Sequence, residues 1–333
     1  MKKLIVISND KLYFEKKKLY SDFNDTINII ESLSKKNYLY FFSRKNKTKG
    51  IYNVKISNKS QLKISQIKSL KLEKIKIFMI SITPYSFLIY LLINLFHKNV
   101  SGFVILRSDG FKEYSLKFGF FAKYLYGFFF NKILRKLKPI VVTDNLTNVK
   151  DYKRLRIYPS EITSAWNKKQ KKVNLSRANL LYLGRVKKEK GIFSLINIIE
   201  DLKIDFNLDI VGDNKNLKIE NNKIKIFQET SNITKIIDFY DKNNIFILPS
   251  FTEGSPKVIL ESLSRLRPII VFKEIEHVKS GMSGIFVANR NTKDLQKTII
   301  YILNNYKSIQ SQMKKNKLAT KKNFQLDLIR IVK

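Results

Sequence analysis

Two glutamates, Glu253 and Glu261, stand eight residues apart in a segment whose composition suits a phosphorylated ligand. An apolar run, Ile245–Leu248, precedes them, and a small-residue loop and a helical pattern follow. The free N–H groups and partial positive charge at the start of such a helix favour anions. Gly254 would let the backbone approach a ligand closely, and Pro256 suits the first helical turn. In the alternative interpretation, Glu253 caps the helix and Glu261 is a surface residue.

A second candidate loop follows the apolar strand pattern of residues 179–183. It begins at Gly184 and carries Arg185 and Lys190 before the next helical pattern. A guanidinium and an ammonium group on one loop can both contact a diphosphate. The alternative is a solvated basic turn, because lysine is abundant throughout the chain. A further strand pattern that ends at Gly212 favours the binding role.

Strand-like and helix-like segments alternate along the chain, which predicts an α/β protein with parallel sheets. We expect two doubly wound Rossmann-like domains that face each other across a cleft. The polar, basic segment 151–177 marks the connection between them. The predicted domains are residues 1–165 and 166–320. Strands are expected in the first domain at residues 4–7, 38–42, 75–82, 102–106 and 139–143, with helical patterns at 25–33, 85–96 and 118–137.

The composition is strongly basic, with a formal net charge of +37 from 64 Lys and Arg against 27 Asp and Glu. Abundant Lys, Asn and Ile are typical of an AT-rich genome, which explains part of the excess. A polyanionic partner is the other explanation: nucleic acid, anionic headgroups or phosphorylated substrates. The chain has no cysteine and two histidines, which excludes disulfides and Cys-type or His-rich metal sites.

Two apolar segments could be confused with targeting or membrane-spanning sequences. Residues 1–7 form too short a run for a secretory signal and are better explained as a buried strand. Residues 82–96 are shorter than the roughly 20 residues that span a bilayer, and they predict a buried core helix. We therefore expect a cytoplasmic protein.

A set of short motifs follows in a fixed order over the C-terminal half. They are Gly184-Arg185, Glu189-Lys190-Gly191, Val211-Gly212, Pro249-Ser250, Glu253-Gly254-Ser255-Pro256, Glu261, Pro268-Ile269-Ile270-Val271 and Gly281-Met282-Ser283-Gly284. In this order they resemble the donor-binding domain of the GT-B glycosyltransferases, specifically the large retaining family usually numbered 4. Each motif is short, and the ordered set carries the resemblance.

The resemblance implies a hexosyltransferase-type enzyme (EC 2.4) with a nucleotide-diphosphate sugar as donor, no metal and no other cofactor. It implies catalytic roles for Arg185 and Lys190, which would neutralise the leaving diphosphate, and for Glu253, which would position the sugar. Glu261 would bind the ribose hydroxyls. The full donor-binding set it implies is Gly184, Arg185, Lys190, Gly212, Gln228, Glu229, Glu253, Gly254, Ser255, Pro256, Val258 and Glu261. It also implies acceptor binding by residues 1–165 and a segment, residues 321–333, that crosses back to this domain.

The N-terminal half departs from the family pattern, so the resemblance does not identify the residues that bind the acceptor. Asp109 could orient an acceptor, and a simple Asp-Gly turn explains it equally well. The aromatic and basic stretch 118–138 predicts either an interfacial membrane helix or a core helix with a solvated basic end. In the first case Lys123, Lys132, Arg135 and Lys136 would contact a membrane. We expect a peripheral protein at the inner membrane face that acts on a lipid-linked or envelope glycan.

Two other functions are compatible with parts of this pattern. The charge alone would suit a nucleic-acid-binding protein, although the aromatic residues lie mostly in apolar runs and not between basic ones. A GT-B-fold nucleotide-sugar epimerase would share the donor site without needing an acceptor. His97 and His277 fit the extra acid–base groups of such an enzyme poorly. Both functions remain as alternatives to the glycosyltransferase, and no nucleic-acid partner is expected.

Overall fold

The structure is a computed structural model that describes residues 1–70, 73–142, 154–167, 170–213 and 221–332, with Asn167 described by its backbone alone. These residues form two compact units, Met1–Pro159 with Lys322–Lys333, and Ser160–Lys321. The first junction between the units lies a few residues before the predicted boundary at residue 165. Among the described residues, no helix has both the length and the apolarity needed to cross a bilayer.

The N-terminal unit contains a mostly parallel sheet. Its strands are β1 (Lys2–Phe14), β2 (Lys18–Ser21), β3 (Asn37–Lys45), β4 (Tyr52–Lys55), β5 (Lys59–Gln61), β6 (Ile75–Ile80), β7 (Val100–Leu106), β8 (Leu137–Val142) and β9 (Arg154–Arg156). The parallel order is β5-β3-β1-β6-β7-β8-β9. Strand β2 pairs antiparallel with the second half of β1, and β4 pairs antiparallel with β2. The segment 151–177, predicted to be a connection, therefore contributes β9 to this sheet; its residues 151–153 and 168–169 lie outside the described ranges.

Helices cover both faces of this sheet, because successive strand residues point to opposite sides. The helices are α1 (Asn24–Ser34), α2 (Pro84–Phe96), α3 (Gly110–Phe118) and α4 (Ala122–Leu134). In β1, Leu4 and Val6 pack into the core that includes α1, whereas Ile5 and Ile7 pack into the core that includes α2 and α4. The helical pattern predicted at 118–137 corresponds to α4, whereas α3 was not predicted. Gly119 has φ of +90° and separates α3 from α4.

The C-terminal unit has a parallel sheet with helices between its strands. Its elements are β10 (Ala178–Leu183), α5 (Ile192–Glu200), β11 (Phe206–Gly212), β12 (Ile224–Gln228), α6 (Ile233–Lys242), β13 (Ile245–Leu248), α7 (Lys257–Ser264), β14 (Ile269–Phe272), β15 (Ile285–Ala288), α8 (Thr292–Asn304) and α9 (Tyr306–Met313). The strand order is β12-β11-β10-β13-β14-β15, with every pair parallel. This doubly wound order confirms the predicted fold class.

A final helix, α10 (Lys321–Val332), belongs to the N-terminal unit. Its Phe324, Leu328 and Val332 are buried in the core that also contains α1. Lys76 donates a hydrogen bond from Nζ to the carbonyl of Val332 at 2.7 Å. The chain thus leaves this unit after Pro159 and contributes to it again with α10.

Candidate functional site

The strand order of the C-terminal unit reverses between β10 and β13, which are neighbours in the sheet. In doubly wound sheets the connections on either side of this point run to opposite faces, and they leave a crevice at the carboxyl ends of the strands. The loop after β10, residues 184–191, and the loop after β13, residues 249–256, both start at this edge. The two candidate loops from the sequence are therefore neighbours.

Glycine at position 191 is what allows the two loops to touch. Gly191 has φ of +68°, and a Cβ atom there would lie 1.9 Å from the carbonyl oxygen of Pro249. The amide of Phe251 donates to the carbonyl of Glu189 at 3.0 Å, so a backbone hydrogen bond joins the two loops next to this approach. A side chain at position 191 would push the loops apart, because the atom that its Cβ would meet belongs to the backbone of Pro249.

An ion pair joins the same two loops through their side chains. Lys190 Nζ lies 2.6 Å from Glu253 Oε1, and Ser250 Oγ donates to the same oxygen at 2.6 Å. The Lys190 and Glu253 side chains are only 20% and 10% exposed. Helix α7 has Pro256 at its N-cap, with no side-chain hydrogen bond. Glu253 is therefore held by Lys190 and Ser250 and does not cap α7.

Arg185 is exposed at the start of the first loop. Its guanidinium makes no hydrogen bond or ion pair within the described parts of the chain, and its carbonyl accepts a hydrogen bond from the Tyr182 hydroxyl at 2.7 Å. Burial, reinforced by the charge of Glu253, raises the pKa of Tyr182, so this hydroxyl stays protonated as a donor. Arg185 therefore lies on a loop whose backbone is held by Tyr182, and its guanidinium is available to an anionic ligand.

Glu261 lies on α7, the helix that follows the loop of residues 249–256. It is 8% exposed, and its Oε2 accepts a hydrogen bond from the Tyr240 hydroxyl at 3.0 Å. Burial and the neighbouring carboxylate raise the pKa of Tyr240 well above its usual range, which keeps this donor protonated. The alternative of Glu261 as a surface residue is therefore wrong. Its carboxylate has a fixed orientation.

The other predicted donor-binding residues lie along the same edge of the sheet. Gly212 ends β11, and a Cβ there would lie 2.1 Å from the carbonyl oxygen of Gly184. Gln228 pairs in register with Gly212 at the end of β12, and Gln228 and Glu229 are exposed. In the second loop Gly254 is buried, whereas Ser255, Pro256 and Val258 are half-buried.

Asp109 and the predicted membrane-contacting residues belong to the other unit. The carboxylate of Asp109 accepts backbone N–H groups of Phe111 and Lys112 at 3.0 and 3.3 Å, which makes it the N-cap of α3. This geometry is that of the turn alternative. Lys132, Arg135 and Lys136 are exposed at or beyond the end of α4, and Lys123 is half-buried near its start.

A polar cluster near Asp109 was missed by the sequence analysis. Arg107, directly after β7, donates to Thr26 Oγ1 at 3.2 Å and to Ser81 Oγ at 3.1 Å, and it lies 3.4 Å from Asp10 Oδ2. Thr26 also donates to Asp10. Ser81 has φ of +64°, which is unusual for a residue with a side chain. The cluster lies where β6 and β7 end and where the register of β1 shifts between Ser8 and Lys11. Its residues are too far apart in sequence to form a motif.

Arg290, in the loop after β15, was missed as well. Its guanidinium lies 4.1 Å from the Phe251 ring centroid and 4.4 Å from that of Phe272. Nε pairs with Glu274 at 2.6 Å, and Nη2 donates to the carbonyl of Ser250 at 3.3 Å. Arg290 therefore stabilises the second loop through its contacts with Ser250 and Phe251. Its position after the last strand of the sheet is the sequence signal that could have drawn attention to it.

A metal site is not evident in the described part of the chain, where no group of three or more His, Asp or Glu side chains could hold an ion. The charged groups at the β10–β13 edge are instead a free guanidinium, a lysine in an ion pair and two oriented carboxylates. Such a set can bind an anionic ligand and fix a polyol by hydrogen bonds.

Comparison with protein families identifies this unit. Residues 164–320 match the model of the family described as Glycosyl transferases group 1. The C-terminal unit is a group 1 glycosyltransferase domain. The resemblance inferred from the motifs is thereby confirmed, as is the prediction of a glycosyltransferase-type domain.

Curated relatives match part of the chain. TuaC of Bacillus subtilis (strain 168), whose name assigns it as a glycosyltransferase to teichuronic acid biosynthesis, is 30% identical over 115 residues, which is 34% of this chain and 30% of TuaC. The chain spans less than half the length of the curated relatives it matches.

Solved structures match over nearly the full length. Sucrose-phosphate synthase from Thermosynechococcus elongatus superposes with a TM-score of 0.68 and 13% identity, covering 100% of this chain and 95% of that one. Anabaena Alr3699/HepE in complex with UDP gives 0.66 and 12%, covering 100% and 96%, and the same protein in complex with UDP-glucose gives 0.61 and 11%, covering 99% and 95%. At these identities the likeness establishes the fold alone.

Proposed function

We propose that the protein is a retaining glycosyltransferase that moves a sugar from a nucleotide-diphosphate sugar to a cell-envelope glycan or a lipid-linked saccharide. The observation that carries the proposal is the contact between the loops after β10 and β13, which brings Lys190 to Glu253 at the point where the strand order reverses. The group 1 domain and the TuaC relative support the reaction class and the envelope acceptor.

In the proposed complex, Arg185 and Lys190 bind the diphosphate and stabilise the negative charge that develops as it leaves. The backbone N–H groups of Gly254 and Ser255, just before Pro256 and α7, would be donors beside this group. Glu253 then exchanges its lysine partner for hydroxyls of the donor sugar. Glu261, oriented by Tyr240, accepts hydrogen bonds from the ribose diol.

The proposed reaction breaks the bond between the anomeric carbon and the diphosphate oxygen and forms a bond from the same carbon to an acceptor hydroxyl oxygen. The acceptor approaches on the face that the diphosphate leaves, and a diphosphate oxygen takes the hydroxyl proton. The two cations carry the charge of the departing nucleoside diphosphate, so the proposed reaction uses neither a metal nor another cofactor.

Two further elements of the proposal concern the acceptor and the location. We propose that the acceptor binds to the N-terminal unit near the Arg107 cluster, because that cluster lies at the corresponding edge of its sheet. We also propose that the enzyme works at the inner face of the cell membrane. The basic composition, with a formal net charge of +37, supports this location.

The donor site can be tested by thermal unfolding with UDP-, GDP-, ADP- and CDP-sugars. A ligand that binds only the folded state raises the apparent melting temperature by mass action, and at 100 times its Kd it adds about 2.7 kcal/mol. We expect at least one nucleotide to stabilise the wild type and not the Arg185→Ala, Lys190→Ala variant. Lys187→Ala with Lys188→Ala, on the same loop, is the matched control and should respond as wild type does.

The reaction is tested by product analysis with the stabilising donor, with and without an envelope-glycan acceptor. Transfer with retained anomeric configuration is expected. A folded protein that responds to no nucleotide sugar would refute the donor site. Conversion of the donor sugar without acceptor would identify an epimerase instead. Tight binding of nucleic acid without affinity for nucleotide sugars would identify a nucleic-acid-binding protein.

A further inference from the structure

Helix α4 of the N-terminal unit is apolar on two opposite sides. On one side Tyr126, Phe129 and Ile133 are buried against the sheet. On the other, Phe121, Tyr124, Leu125 and Phe128 face solvent, and the Phe121 side chain is 81% exposed. The spacing of these four residues places them along one side of a helix. Burial in the core explains why the first side of α4 is apolar, but it does not explain the apolar residues on the second side.

Helix α2 has the same property. Leu88, Leu91 and Leu95 lie along one side and are exposed, Leu95 by 73%, whereas Phe87 and Ile93 are buried. The two helices are in contact. The Phe87 ring stacks on Phe129 with centroids 4.4 Å apart and meets the Phe128 ring edge-on at 5.8 Å.

The turn between α3 and α4 adds further exposed aromatic side chains. Phe118 and Phe120 lie on either side of Gly119 and are 72% and 59% exposed. A Cβ atom at Gly119 would have no neighbour within 4 Å, so this turn projects into open space. We name the exposed residues of α2, of α4 and of this turn the outer apolar face. Monomeric proteins rarely expose so many large apolar side chains together, and such patches mark interaction sites.

The charges around the outer apolar face are almost all positive. From residue 84 to residue 138 the acidic residues are Asp109, which caps α3, and Glu113, which pairs with Lys117 at 3.5 Å. Lysine ammonium groups border the rings: Lys123 Nζ lies 3.5 Å from the Phe120 centroid, and Lys132 Nζ lies 5.8 Å from that of Phe128. Lysine stems along apolar side chains, with cations at the border, are typical of interfacial helices.

We propose that the outer apolar face inserts into the interfacial layer of an anionic lipid membrane. The phenylalanine and leucine side chains would enter the acyl region, and Lys123, Lys132, Arg135 and Lys136 would meet the headgroups. A second copy of the chain is a less suitable partner, because pairing two such faces would bring two basic borders together. Nucleic acid would satisfy the cations and leave the leucines of α2 exposed to water.

The face lies in the N-terminal unit, and the proposed donor site lies in the C-terminal one. Membrane binding and nucleotide binding can therefore fail independently of each other. The experiment is sedimentation of the full chain with vesicles of phosphatidylcholine and phosphatidylglycerol at 4:1, compared with pure phosphatidylcholine. UDP affinity is measured on the same preparations.

The apolar variant is Phe121→Ser with Leu125→Ser, and its control is Ile64→Ser with Ile300→Ser, which are exposed apolar residues elsewhere. We expect the apolar variant to lower partitioning onto anionic vesicles at least about tenfold. The control should bind as wild type does. Both should keep a wild-type circular dichroism spectrum and the same affinity for UDP.

The charge variant is Lys123→Gln with Lys132→Gln, and its control is Lys293→Gln with Lys297→Gln on α8. A cation near an anionic surface contributes about a fivefold factor in partitioning, so the charge variant should lose about 25-fold on anionic vesicles. Equal binding of wild type and apolar variant would overturn the proposal. So would concentration-dependent dimerisation that the apolar variant abolishes, in the absence of vesicle binding.

Discussion

Removing the charge of Glu253 should strengthen, not weaken, the binding of a nucleoside diphosphate. In the structure Lys190 is already paired with Glu253 at 2.6 Å, so a diphosphate must compete with this carboxylate for the ammonium group. Glu253→Gln removes the competitor and one negative charge beside the proposed diphosphate site. UDP is the suitable probe, because it lacks the sugar that Glu253 is proposed to position.

The size of the effect follows from the environment of the pair. With the two side chains 20% and 10% exposed, the pair is less screened than one at the surface, and separating it costs about 1–2 kcal/mol. Because about 1.4 kcal/mol corresponds to a factor of ten, Glu253→Gln should bind UDP about 5- to 30-fold more tightly than wild type. Sugar transfer by this variant should fall at the same time.

Isothermal titration of UDP into wild type, Glu253→Gln, Lys190→Met and the double variant measures the coupling. Lys190→Met should weaken binding, and in that background the Glu253→Gln change should have little effect. Glu276→Gln, at an exposed position after β14, is the matched control and should leave the affinity unchanged. Weaker UDP binding by Glu253→Gln, or an equal gain in both backgrounds, would refute competition through the ion pair.

Three further outcomes test the site. Tyr240→Phe removes the donor to the buried Glu261 and should lower the free energy of unfolding by about 1–3 kcal/mol in urea titrations, with no such loss for Tyr301→Phe at an exposed position. Gly191→Ala should destabilise the protein and weaken UDP binding more than Gly281→Ala does. Both glycines have positive φ, but only at Gly191 would a Cβ meet backbone atoms. Equal effects of the two substitutions on the melting temperature and on UDP affinity would show that the close approach of the loops at Gly191 is not important. Finally, EDTA should leave the rate of sugar transfer unchanged in an assay with purified enzyme, and a loss that Mg²⁺ or Mn²⁺ restores would contradict the proposed metal-free reaction.

The sequence was sufficient to predict the framework of the C-terminal unit. Strands β10 and β13 were predicted nearly to the residue, at 179–183 and 245–248, because a buried parallel strand is an uninterrupted apolar run. The loop that starts at Gly184 and the loop around Glu253 were found because small residues and charges follow these runs directly. Their placement at one edge follows from the parallel order.

The parts that were not predicted depend on contacts between distant residues. Strand β9 reads Arg-Leu-Arg and is exposed at all three positions, so only its pairing with β8 makes it a strand. The Lys190–Glu253 pair spans 63 residues, and no local pattern distinguishes it from two solvated charges. In α4 the pattern was ambiguous for another reason, since a helix with apolar residues on both sides has little periodicity.

The return of the chain as α10 affects the order in which the protein can mature on the ribosome. The core around α1 contains Phe324, Leu328 and Val332, and these residues are translated after the entire group 1 domain. The N-terminal unit, although synthesised first, cannot close that core until translation has passed residue 332. The group 1 domain, which emerges second, can therefore complete its own sheet first. Until α10 is synthesised, the apolar residues of the N-terminal unit that pack against α10 remain uncovered.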